Sequence, residues 1–163
     1  MNLNIRLMEY EDIKQVQFVA KISWNDTYEG IIPLEIQNNF LQLSYNDEMM
    51  KRRIDQSIVY VVEVNDEVVG FANFSKVNKN GEVELSAIYL LKQYRGNGIG
   101  TALLNQGINN LEGVNTIYIN VEKENKIGLN FYKAKGFKTI EEYDEDFEGH
   151  LLRTVRMVLM LED

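Results

Sequence analysis

The hydrophobic positions of this chain change their period along its length, and the changes lay out its elements. Residues 4–8 read as a short strand. Across residues 11–24, Ile13, Val16, Val19, Ala20 and Trp24 recur at helical spacing, which predicts an amphipathic helix. Residues 25–40 hold the only proline, Pro33, where helical structure is expected to break and restart. Residues 47–55 predict another short helix. From Ile58 the pattern turns to strands: 58–64, a turn at Asn65-Asp66-Glu67, then 68–75, which together predict a hairpin. After a second turn at 78–81, residues 82–91 give a fourth strand and complete an antiparallel meander. A helix over 98–111, a fifth strand over 116–121, a helix over 125–135 and strands over 137–143 and 155–161 follow. A meander followed by alternating strands and helices predicts an α+β fold with a mixed sheet and at least one parallel pair.

The chain has 163 residues and shows no repeat or linker, so residues 1–163 are expected to form one domain. With no cysteine there is no disulfide framework and no cysteine nucleophile, and a single histidine, His150, makes zinc sites and Ser-His-Asp chemistry poor fits. His150 is expected at the surface. The formal net charge of −8 argues against tracking a nucleic-acid backbone. Apolar runs are far too short to span a bilayer, and the N-terminal residues hold no long apolar stretch, so a cytoplasmic protein without membrane association is expected.

The segment richest in chemistry is Gln93-Tyr94-Arg95-Gly96-Asn97-Gly98-Ile99-Gly100-Thr101, where three glycines alternate between a strand and a helix. Glycines admit turns other residues resist, and a helix N-terminus adds partial positive charge, so the loop suits a phosphate. The residues alone also allow a glycine-rich turn without a ligand, the less favoured of the two readings. The spacing departs from both the P-loop and the dinucleotide fingerprint. Some thirty residues on, Asn125 is placed to cap a helix and Gly136 to end it, with Ile127, Phe131 and Ala134 forming an expected buried face.

Taken together, these two segments resemble the GNAT N-acetyltransferases. Gln93, Gly96 and Gly98 match the family's Gln/Arg-x-x-Gly-x-Gly/Ala signature. Asn125, Gly128, Phe131, Tyr132, Gly136 and Phe137 match its later Asn-x-x-small-x-x-Phe-Tyr-x-x-x-Gly-Phe pattern, with glycine at 128 where alanine is commoner. The resemblance covers roughly residues 58–137. It implies a mostly antiparallel central sheet flanked by helices and splayed between the fourth and fifth strands, with acetyl-CoA as cosubstrate and no metal.

The resemblance also implies roles. Backbone groups of Ile88, Tyr89 and Leu90 would pair with pantetheine. Arg95, Gly96, Asn97, Gly98, Ile99, Gly100 and Thr101 would hold the pyrophosphate, and Asn125 would touch the cofactor arm or serve only as a cap. Tyr132 is the expected general acid toward the departing thiolate, and Glu84 the first candidate base, with Glu82 one pleat away. Trp24 and Tyr28 are expected to line the acceptor pocket beside Thr27 and Glu29, although Trp24 fits a core position equally well. Residues 141–148 carry six acids and read as a loop, either simply solvated or attractive to a polycation. The acceptor is expected to be a small-molecule or peptide amine (polyamine, amino acid or aminoglycoside among them) that attacks directly in a ternary complex. A non-catalytic acyl-CoA sensor is the alternative. A homodimer pairing through an edge strand near 155–161 is a further expectation.

Overall fold

The first strand, β1 (Leu3–Leu7), is followed by α1 (Ile13–Tyr28), α2 (Leu34–Ser44) and α3 (Asp47–Gln56), then by β2 (Ile58–Val64), β3 (Glu67–Phe74) and β4 (Glu82–Leu90). The second half runs α4 (Ile99–Asn110), β5 (Thr116–Glu122), α5 (Lys126–Ala134), β6 (Lys138–Phe147) and β7 (His150–Met160). This is a computed structural model, which describes residues 2–161. The strands form one sheet in the order β1-β2-β3-β4-β5-β7-β6, antiparallel throughout except for the β4–β5 pair. The predicted α+β class and mixed sheet hold.

Local chemistry explains the joints. Asn65 and Asp66 both sit at positive φ, 51° and 70°, and close a two-residue hairpin whose twist suits the flanking strands. Pro33 stands immediately before α2, where its fixed φ starts the helix. α1 runs four residues past the predicted end, to Tyr28.

β3 is buried from Val68 to Phe74, on both faces. On one face Phe71 packs against Tyr45 at the end of α2. On the other, Phe74 fills the space that a side chain on Gly107 of α4 would occupy, so glycine there lets helix and sheet approach closely. Helices thus cover both sides of the β2–β4 half, and the core lies there.

Two expectations are corrected. Residues 141–148 do not form a loop: β6 and β7 are one long hairpin closed by Glu148 and Gly149, both at positive φ. The acids are tolerated because β6 is an edge strand that faces solvent, and several meet cations or hydroxyls: Arg153–Asp144 at 3.2 Å, Lys123–Glu142 at 3.0 Å and Thr154–Glu145 at 3.3 Å. β7 lies between β5 and β6, so residues 155–161 offer no edge for a partner. His150 is half-buried, its Nε2 3.0 Å from the Ile31 carbonyl oxygen. No described helix is long and apolar enough to cross a membrane.

Candidate active site

The site begins with a failure of pairing. β4 and β5 share register only at Glu82–Thr116, Val83–Ile117 and Glu84–Tyr118. Beyond Glu84 the strands diverge, leaving the β5-facing edge of β4 without a strand partner from Leu85 to Leu90. A bulge at Ser86, where the β3–β4 register shifts between Asn73 and Phe74, bends β4 away. Unpaired backbone groups of a sheet interior need partners, and a ligand with its own amides can supply them.

Into this gap opens a cavity of about 490 Å³. β4 contributes Leu85 to Leu90 along one wall, and β5 contributes Asn120 and Val121. α5 lays Ile127, Gly128, Phe131 and Tyr132 along another side, and the end of α1 adds Asp26, Thr27 and Tyr28. The glycine loop closes one end: Gly96 and Gly98 take φ of 84° and 78°, and Gly98 caps α4 in the left-handed region. Nothing lies within 4 Å of where a Cβ on either would stand, so the loop is open above its backbone. This is the shape a pyrophosphate needs: N–H groups at a helix start with no side chain between. Arg95 lines the same end, its Nε donating to the Leu90 carbonyl at 3.2 Å. A long thin amide-bearing ligand with a phosphate tail fits both ends.

The family comparison identifies the kind of protein that carries this cavity. The acetyltransferase (GNAT) family model matches residues 19–137, most of the chain. The chain belongs to the GNAT family of acetyltransferases. It is an acetyl-CoA-using N-acetyltransferase. Among relatives, the uncharacterized N-acetyltransferase YuaI of Bacillus subtilis is 29% identical over 94% of this chain and 90% of its own. The spermidine N(1)-acetyltransferase of Thermoplasma acidophilum is 29% identical, over 90% of this chain and 95% of its own. The fold also matches the PaiA N-acetyltransferase of Thermoplasma acidophilum, solved with coenzyme A, at TM-score 0.85 and 24% identity, over 98% of this chain and 99% of that one.

Of the residues singled out in the sequence, this GNAT fold brings Ile88, Tyr89, Leu90, Arg95, Gly96, Gly98, Gly100, Thr101, Asn125, Tyr132, Thr27 and Tyr28 to the cavity wall. Asn125 Oδ1 accepts the Gly128 N–H at 3.0 Å, so it caps α5 as well as lining the cavity. Tyr132 is edge-on to both Phe131 and Phe137, and burial pushes its phenol well above the ordinary value, with Tyr28 adding to the rise.

Others stand elsewhere. Asn97 does not line the cavity, and Ile99 turns its side chain into the core. Trp24 is buried, stacked on Phe40 at 4.4 Å and tilted against Tyr28 at 4.5 Å, so it supports Tyr28 from behind. Glu29 is exposed and off the wall. Glu84 is also off the wall: it pairs with Arg156 through two contacts, one of them 3.3 Å, while Arg156 also donates to Asn120 Oδ1 at 2.9 Å and lies over the Tyr118 ring. The expected buried face of α5 is reversed, since Leu129 is the residue it buries and Ile127 and Phe131 face the cavity.

Sequence reasoning missed Ser86, Asn120, Asp26 and Lys135. Asn120 carried a signal, a lone amide between Ile119 and Val121, and Ser86 marked the bulge.

Proposed function

We propose that this enzyme transfers the acetyl group of acetyl-CoA to a primary amine of a linear polyamine such as spermidine, by direct attack within a ternary complex. The observation that carries the acceptor class is the sheet face beside the cavity. Cross-strand partners share a face, so the registers Glu84–Tyr118, Asn120–Arg156, Glu122–Thr154, Glu141–Arg156 and Glu145–Leu152 gather four carboxylates on one side. Phe147, on the same side of β6, stacks against Trp24 of α1, which in turn packs on Tyr28 of the cavity wall. Arg156 neutralises Glu84; among the described residues no cation pairs with Asp26, Glu122, Glu141 or Glu145. A row of carboxylates matches several ammonium groups spaced along a chain better than one. The similarity to a spermidine acetyltransferase over nearly the whole length supports the same reading.

Acetyl-CoA supplies the activated acyl carbon. The free edge of β4 at Ile88, Tyr89 and Leu90 would hold the pantetheine amides, and a backbone N–H there would polarise the carbonyl. The amides of residues 95–101 and the start of α4 would take the pyrophosphate. Asn125 keeps its Nδ2 free for the cofactor arm. Carboxylates at the acceptor end would orient the amine so that its nitrogen bonds to the carbonyl carbon as the carbon–sulfur bond breaks. The Tyr132 hydroxyl would donate to the departing sulfur. Glu84, held by Arg156, would accept the ammonium proton through water rather than by contact.

Thiol release from acetyl-CoA across spermidine, monoamines, amino acids, short peptides and aminoglycosides tests this. The expected result is a rate with spermidine well above that with any monoamine. Binding of acetyl-CoA with no release on any amine would favour the non-catalytic sensor.

A further inference from the structure

Apart from tyrosines, three ionisable side chains line the cavity among the described residues: Asp26, Arg95 and Lys135. The chain holds 25 acids against 17 bases, yet the end of the cavity at the glycine loop carries two cations and no acid. Their placement differs. Arg95 belongs to the loop and is tethered to Leu90. Lys135 belongs to a different wall, as the residue that ends α5.

The position of Lys135 is defined through Phe131. The ammonium lies 5.7 Å from the Phe131 ring centroid, and a Cβ on Gly100, in the first turn of α4, would stand 3.3 Å from that same ring. Lys135 and the first turn of α4 thus border the same aromatic ring, and both line the cavity that holds the phosphate cradle. Among the described residues it makes no ion pair.

CoA carries three phosphoryl groups. Two adjoin in the pyrophosphate, which the loop amides and Arg95 can serve together. The third, a monoester on the ribose 3′ oxygen, is displaced from the pair by the sugar and carries close to two negative charges at neutral pH. A flexible point charge set apart from the loop suits that group. We propose that Lys135 binds the 3′-phosphate of CoA and gives this enzyme a preference for CoA over dephospho-CoA. The proposal rests on the acetyl-CoA reading of the cavity. A lysine at a helix end also favours the helix dipole, but that role cannot tell the two ligands apart.

Calorimetric titration of CoA and dephospho-CoA at fixed ionic strength tests it. The unmodified enzyme is expected to bind CoA about ten-fold more tightly than dephospho-CoA, in line with one charge-assisted contact. Lys135→Met should weaken CoA by about that factor and leave dephospho-CoA where it was; Lys135→Arg should restore the preference. Lys133→Met, which removes a cation from the same helix away from the cavity, should keep it. Equal weakening of both ligands by Lys135→Met would move Lys135 to the pyrophosphate and overturn the assignment, as would no weakening of either. If the unmodified enzyme bound neither ligand, the acetyl-CoA reading itself would fall.

Discussion

Replacing Tyr132 with phenylalanine removes one hydroxyl and little else. The ring keeps its edge contacts with Phe131 and Phe137, both at 5.4 Å between centroids. No protein group among the described residues hydrogen-bonds the hydroxyl, so the melting temperature should stay within about 2 °C. The kinetic cost follows from the acidity of the phenol. Burial pushes it well above its ordinary value, and Tyr28 adds to the rise. The leaving thiolate belongs to an alkyl thiol, a stronger acid than the raised phenol, so full proton transfer from Tyr132 is uphill. Its contribution is then a hydrogen bond to a developing anion, worth about 1.5–3 kcal/mol, rather than the upper range of general acid catalysis. That predicts a turnover lower by about ten- to a hundred-fold with acetyl-CoA affinity kept. Thiol-release kinetics with spermidine, beside calorimetric titration of acetyl-CoA, reads both quantities. A turnover within about two-fold of the unmodified enzyme, with affinity and melting temperature unchanged, would refute the role.

Gly98→Val puts a branched side chain at a φ of 78°, a strain of about 1–2 kcal/mol. Because nothing lies within 4 Å of the new Cβ, the loop itself should shift, and CoA affinity should fall at least about ten-fold by calorimetry; an unchanged affinity would show that the loop does not hold the pyrophosphate. Asp12 tests the fold: burial pushes its carboxyl up, but Arg6, at 2.7 and 2.8 Å, and the Glu9 N–H outweigh that and hold it below the ordinary range. A depressed carboxyl contributes stability above its unfolded pKa of ~3.9 and loses it as pH falls through the folded value. Asp12→Asn should therefore cost about 2 kcal/mol in urea unfolding at pH 7, the gap closing in more acid solution; a gap that widens there would contradict the sign. For catalysis, kcat/KM should climb with pH as the acceptor ammonium, near ~10, loses its proton. The raised phenol of Tyr132 leaves no descending limb below about pH 10, and a fall near neutrality would count against it.

The parts of this molecule that were legible in the sequence are those ruled by local chemistry. The Asn65-Asp66 hairpin and the Gly96 and Gly98 turns need left-handed backbone, and the residues that tolerate it announced them. The α5 stripe was visible but misassigned, because periodicity marks an apolar face without saying what covers it; here Ile127 and Phe131 line a cavity. The acidic run looked like a loop because composition outweighed its strand spacing, whereas an edge strand accepts charge on its solvent sides. Glu84 reads as a base in direct contact with the amine only while Arg156, 72 residues away, is out of view; the pair holds the carboxylate off the cavity wall, where only water can link it to the acceptor. Trp24 gave no local sign of its direction, and only its stacking on Phe40 set it behind the wall. Contacts distant in sequence leave no periodic trace, and those set the acceptor side.

In the proposed function, acetyl-CoA in the gap between β4 and β5 serves to acetylate a polyamine held on the carboxylate face. Mass spectrometry of spermidine incubated with the enzyme and acetyl-CoA tests it most directly. The expected product is spermidine carrying a single acetyl group on a primary nitrogen, formed in step with released CoA. Acetyl-CoA consumed with spermidine left unmodified, or no consumption by an enzyme that binds the cofactor, would contradict it.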